Sequence, residues 1–159
     1  MTEQTRKIVL GIGNLLYSDE GVGVQALAAL QAKLGEQDAV EILDGGTLGL
    51  DLLPLVESSS HLLVLDTINA SKSPGTLVEL RDSEIPLYAG IKLSEHQATF
   101  QEVLGLASVR GQLPPHLHLI GVQPAVLDMG MELSPVVAAA VPLMVERALR
   151  MLREWGLVK

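Results

Sequence analysis

The stretch that decides the fold is "GIGNLLYSDEGVG", Gly11 to Gly23. It follows Ile8-Val9-Leu10, a continuous apolar run that predicts a buried strand over Lys7 to Ile12. Behind it, Val22, Ala26, Leu27, Leu30 and Leu34 recur on one face of a helix that Ser18 or Asp19 can cap and Gly35 ends. Strand, glycine-rich turn and helix open a βαβ unit; a dinucleotide binder is one reading of it, against which the loop itself argues. A dinucleotide site needs glycine at the sixth position of Gly-x-Gly-x-x-Gly, where this chain has Leu16, and the Gly-Lys-Ser/Thr of a phosphate loop is absent. With Asp19 and Glu20 facing the cleft, the loop suits a cation better than a phosphate. Its glycines then serve a tight turn and close backbone approach.

Outward from that stretch, strand and helix patterns alternate. Val40 to Leu43 predicts a second strand, ending in Asp44-Gly45-Gly46, with a short helix over Leu48 to Val56. His61 to Leu65 predicts a third strand, ending in Asp66. Thr76 to Leu80 alternates as an edge strand does, and 82–94 is irregular. A helix is expected from His96 to about Val109, and a strand over His118 to Val122. Ser134-Pro135 reads as an N-cap with proline at the first helical position, opening a helix that reaches about Trp155 with a kink at Pro142. The order predicts an α/β fold: a three-layer sandwich in which a twisted, mostly parallel sheet of about five strands carries helices on both faces. The whole chain, 1–159, reads as one domain, without repeats or a dividing linker.

Composition removes several function classes. The net charge of −8 disfavours nucleic acid and anionic membrane as partners. The absence of cysteine excludes disulfides, zinc–thiolate sites and thiol nucleophiles. The polar N-terminus lacks a signal peptide's pattern, and the longest apolar run, Pro135 to Val145, falls short of the ~20 residues that cross a bilayer. A soluble, cytoplasmic protein is the compatible reading.

In a parallel sheet, ligands bind beyond the carboxyl ends of the strands. There the first three strands present acids: Asp19 and Glu20, then Asp44, then Asp66. Acids at strand ends also cap the following helix, but three side by side repel each other and are comfortable around a cation or a basic peptide. His96, in "KLSEHQATF", would add a nitrogen to the oxygens of Glu20 and Asp66, a set suited to zinc or nickel with positions left open. As a lone histidine near a helix start it also reads as a surface or capping residue. His61 is expected to face solvent, and the pair His116 and His118, on one side of a strand, to be structural. No H-E-x-x-H or G-x-S-x-G signature is present.

Taken in order, "GIGNLLYSDEGVGV", "EILDGGTLGLDLL", "HLLVLDTI", "LSEHQ" and "LIGVQP" resemble the hydrogenase maturation endopeptidases, proteases that trim the large subunit of nickel–iron hydrogenases. "ESSSHLLVLD" and "VRGQLPPHL" resemble most the branch serving membrane-bound uptake hydrogenases. The resemblance implies a single cut that removes the C-terminal extension of the large-subunit precursor once nickel is in place. It implies metal contacts from Glu20, Asp66 and His96, with Asp44 as a further acid in the cleft and a catalytic candidate beside Glu20 and Asp66. Glu20 stands where many relatives have aspartate, and Thr67 where alanine is usual; neither change removes a ligand. The nickel would come with the precursor, the expected protein partner, and zinc or cadmium could replace it in crystals. A nickel-sensing chaperone that binds the precursor without cutting it would use the same side chains.

Overall fold

The structure, a computed structural model, describes residues 3–85 and 100–159. Five strands, β1 (Arg6–Ile12), β2 (Glu41–Gly46), β3 (Ser59–Thr67), β4 (Leu77–Arg81) and β5 (His116–Val122), form one sheet in the order β2-β1-β3-β5-β4. All pairings are parallel except that of β4 with β5. The expected fold is therefore the observed one, with Leu77–Arg81 as an antiparallel edge.

Two apolar layers hold the sheet. On one face, Val9, Leu63, Leu65 and Ile120 pack with Leu27 and Leu30 of helix α1 (Val22–Leu34) and with Met144, Ala148 and Leu152 of α5 (Val141–Glu154). On the other, Ile8, Leu10, Leu62, Val64 and Leu119 meet Val56 of α2 (Leu53–Glu57) and Phe100, Val103 and Leu104 of α3 (Phe100–Val109). Successive strand residues point to opposite faces, so a strand covered on both sides must be apolar throughout. Leu62 to Leu65 is such a run, at 0–1% exposure. Each of these side chains contributes about 2 kcal/mol by leaving water.

Three local readings change. Residues 134–155 do not form one kinked helix. The chain makes a short α4 (Pro135–Ala138) and restarts as α5, with Pro142 in the first turn of the new helix. Proline's missing N–H is harmless there and costly in a helix interior. No side chain caps α1, which follows directly on a 3-10 turn over Ser18–Gly21. Ser134 likewise makes no capping hydrogen bond.

His61 does not simply face solvent. It pairs in register with His116, the rings stack with centroids 4.3 Å apart, and Trp155 meets His61 edge-on at 5.1 Å. Burial, His116 and Lys7 all hold the His61 imidazole below its ordinary pKa. His118 is buried, with Nε2 2.6 Å from Glu79 Oε2, while Arg147 donates to the other Glu79 oxygen at 3.0 Å. This cluster belongs to the starts of β3 and β5, the sheet edge opposite the acids.

Candidate active site at the carboxyl edge

The strand order fixes where a site can form. From β1 the chain crosses to β2 on one side, and from β2 it returns past β1 to β3 on the other. The loops leaving β1 and β3 therefore part, opening a crevice between these strands. Glu20, in the loop after β1, and Asp66, at the end of β3, stand at that crevice.

Two glycines bring Glu20 down to it. Gly13 has φ 142°, and a Cβ there would lie 1.9 Å from the Glu20 carbonyl oxygen. A Cβ on Gly23 would lie 2.3 Å from the carbonyl oxygens of both Ile12 and Leu65. The first turn of α1 thus rests directly on the ends of β1 and β3, which only glycine permits. The glycines of the opening stretch provide close approach, as the sequence suggested.

Asp66 is 8% exposed, and its Oδ1 accepts the Thr67 amide at 2.7 Å. Burial pushes its carboxyl group up to about 8; the Thr67 amide opposes this, and the negative charge of Glu20 adds to it. Burial also raises Glu20 above the ordinary carboxylate range. Two carboxyl groups in this relation share a proton or a cation more readily than they both stand bare.

Asp44 lies inside β2, not after it, and is exposed. Gly11 pairs with Asp44 on one side and Leu65 on the other, so Asp44 and Asp66 sit two strands apart, about 10 Å by inter-strand spacing. By alternation Asp44 leaves the sheet on the face of Ile42 and α1, and Asp66 on the face of Val64 and α3. The three strand ends do lie side by side. Among their acids Glu20 acts electrostatically on Asp66, and Asp44 lies two strands from Asp66 along the rim.

Asp19 does not face the cleft. It is 0% exposed, and its carboxylate accepts the amides of Ala125 (2.9 Å), Val126 (2.8 Å) and Ser134 (2.7 Å) and the Ser134 hydroxyl (2.8 Å). Burial pushes its pKa up, but the Val126, Ser134 and Ala125 amides and the Ser134 hydroxyl outweigh it and hold the group below its ordinary value. Asp19 is a staple between the loop after β1 and the loop after β5. Gln123 plays a similar part for the loop after β3, accepting the Ala70 amide at 2.8 Å and donating to Asn69 Oδ1 at 3.2 Å. Neither role was readable beforehand, because the partners lie 53 to 115 positions away.

His96 lies outside the described residues. Among the described residues no three potential ligands converge on one point. What the structure brings together is the pair Glu20 and Asp66.

The fold has counterparts. A family model described as hydrogenase maturation protease matches residues 24–151. The chain belongs to the hydrogenase maturation protease family. It is 45% identical over 153 residues to the hydrogenase expression/formation protein HupD of Rhizobium leguminosarum bv. viciae, covering 95% of this chain and 76% of that protein. It is 41% identical over 152 residues to the hydrogenase 2 maturation protease of Escherichia coli K12, covering 95% and 93%. Among solved structures, the hydrogenase maturating endopeptidase HybD of E. coli superposes with a TM-score of 0.87 at 40% identity, covering 96% of this chain and 94% of that one. Family membership makes the chain a peptidase that acts in hydrogenase maturation. Among the described residues no helix is long and apolar enough to cross a membrane.

Proposed function

We propose that this hydrogenase maturation protease makes one cut in the large-subunit precursor of a nickel–iron hydrogenase. The cut releases the C-terminal extension and follows nickel insertion. The observation that carries this reading is the placement of Glu20, in the turn after β1, and buried Asp66, near the end of β3, at the crevice between these strands, where burial pushes both carboxyl groups upward. Such a pair is poised to give up a proton when a divalent ion arrives. That ion is the precursor's own nickel, and His96 supplies the third contact from this chain. The enzyme thereby senses a loaded precursor, since an empty one offers the pair nothing to hold.

Each acid then has a part. Asp66 and Glu20 bind the incoming ion and hold the adjoining peptide against the end of the sheet. Asp44, exposed two strands away from Asp66, is assigned the role of taking a proton from water or orienting the peptide. The test is incubation of purified protein with nickel-loaded precursor, followed by intact-mass spectrometry. A shortened large subunit and a free C-terminal peptide are expected. An unchanged precursor bound in a stable complex would contradict proteolysis and favour a nickel-sensing chaperone.

A further inference from the structure

Exposed apolar side chains are not spread evenly over this molecule. Among the described residues, twelve large ones are exposed; three lie in residues 15–17, two in 48–50 and three in 126–131. All three segments are loops at the carboxyl edge, where the acids stand. Clustering of this kind marks an interaction surface, whereas single exposed apolar residues do not.

Two of these loops are fastened into one surface. The Ser18 amide donates to the Gly130 carbonyl at 2.7 Å, the Gly130 amide to the Leu16 carbonyl at 2.8 Å, and the Ser18 hydroxyl to the Asp128 carbonyl at 2.8 Å. The Asp19 staple holds the same loop at both ends. Leu15, Leu16 and Tyr17 are thus set beside Met129 and Met131, and Glu20 follows Tyr17 by three residues. A polypeptide held at Glu20 therefore has this shelf beside it. Because the shelf is already ordered, docking costs little conformational entropy.

Its charge selects the occupant. Apart from the buried Asp19, residues 13–21, 44–53 and 123–134 contain Glu20, Asp44, Asp51, Asp128 and Glu132, and no lysine or arginine. Acidic segments are repelled; an apolar segment without acids, or with a basic residue, is not.

We propose that the shelf of Leu15, Leu16, Tyr17, Met129 and Met131 binds an extended, apolar, acid-poor segment of the large-subunit precursor adjoining the bond to be cut. This rests on the precursor being the substrate, and adds a contact that places the chain independently of the metal.

The test measures the affinity of nickel-loaded precursor for the wild type and for Leu16→Asp, Met129→Asp and Val109→Asp, with cutting followed in parallel. Val109 is 86% exposed on α3, so its variant adds the same charge away from the shelf. Loss of one apolar anchor is expected to weaken binding about tenfold for Leu16→Asp and Met129→Asp, with melting temperatures and the Val109→Asp affinity unchanged. Equal affinity of all four proteins overturns the proposal, as does equal weakening by Val109→Asp. Wild-type protein that does not bind precursor but forms a dimer broken by Leu16→Asp also overturns it, assigning the shelf to a second copy of this chain. If the expected binding pattern appears without cutting, the shelf stands and the endopeptidase reading falls.

Discussion

Gly13 packs against Glu20 so closely that a Cβ at position 13 would lie 1.9 Å from the Glu20 carbonyl oxygen. The acid is therefore positioned by backbone contact, not by its own side chain. Gly13→Ala must push the 3-10 turn away and carry Glu20 from Asp66, besides straining a backbone at φ 142°. A loss of about 2–4 kcal/mol is expected, with processing abolished. Gly35→Ala is the contrast: φ is +67° there, but nothing lies within 4 Å of the added carbon. With ψ at −157° the conformation is one that only glycine adopts readily, so the change should cost about 1–3 kcal/mol through backbone strain alone and leave processing intact. Denaturant melts and a cleavage assay on both variants check this.

Asp66 sets a pH dependence of definite sign. Its carboxyl group rises from 3.8 unfolded to about 8 folded, so between these values the native state holds a proton that the unfolded chain has lost. Stability therefore falls as pH rises from about 4 to about 8, and levels off above the folded value. Asp66→Asn removes the ionisation. It is expected to stabilise the protein at pH 8 by a few kcal/mol, flatten that slope and abolish processing. Thermal melts of both proteins between pH 5 and pH 9 decide it; parallel slopes would contradict the assignment.

Asp19 has the opposite sign. Its folded pKa lies below the ordinary carboxylate value, so its contribution is present above the unfolded pKa and is lost as pH falls through the folded one. Asp19→Asn turns a donor toward amides that already donate, and should cost about 2–4 kcal/mol at pH 7. Its effect should shrink in acid. Hydrogen exchange at Ala125, Val126 and Ser134, whose amides Asp19 accepts, should quicken in the variant.

The layered fold was legible because burial on both faces writes itself into short apolar runs, and Leu62 to Leu65 is the clearest. That the acids after β1, β2 and β3 share one edge was legible because strand ends in a parallel sheet lie together whatever their distance in sequence. Asp19 was not, since a staple to residues 125–134 has the same local signature as a cleft acid. The stacking of His61 on His116 was hidden for the same reason: it depends on the register of β3 with β5, which no local pattern specifies. Pro142 was seen to disturb the last helix, but proline in a kink and proline in a new first turn look alike until the chain is folded.

The central claim is that Glu20 and Asp66 read nickel already seated in the precursor. The direct measurement is the initial rate of cleavage of nickel-free and nickel-loaded precursor by the same enzyme, free nickel being removed from both. The account predicts release of the C-terminal peptide from the loaded precursor and none from the empty one. Equal rates on the two would contradict it.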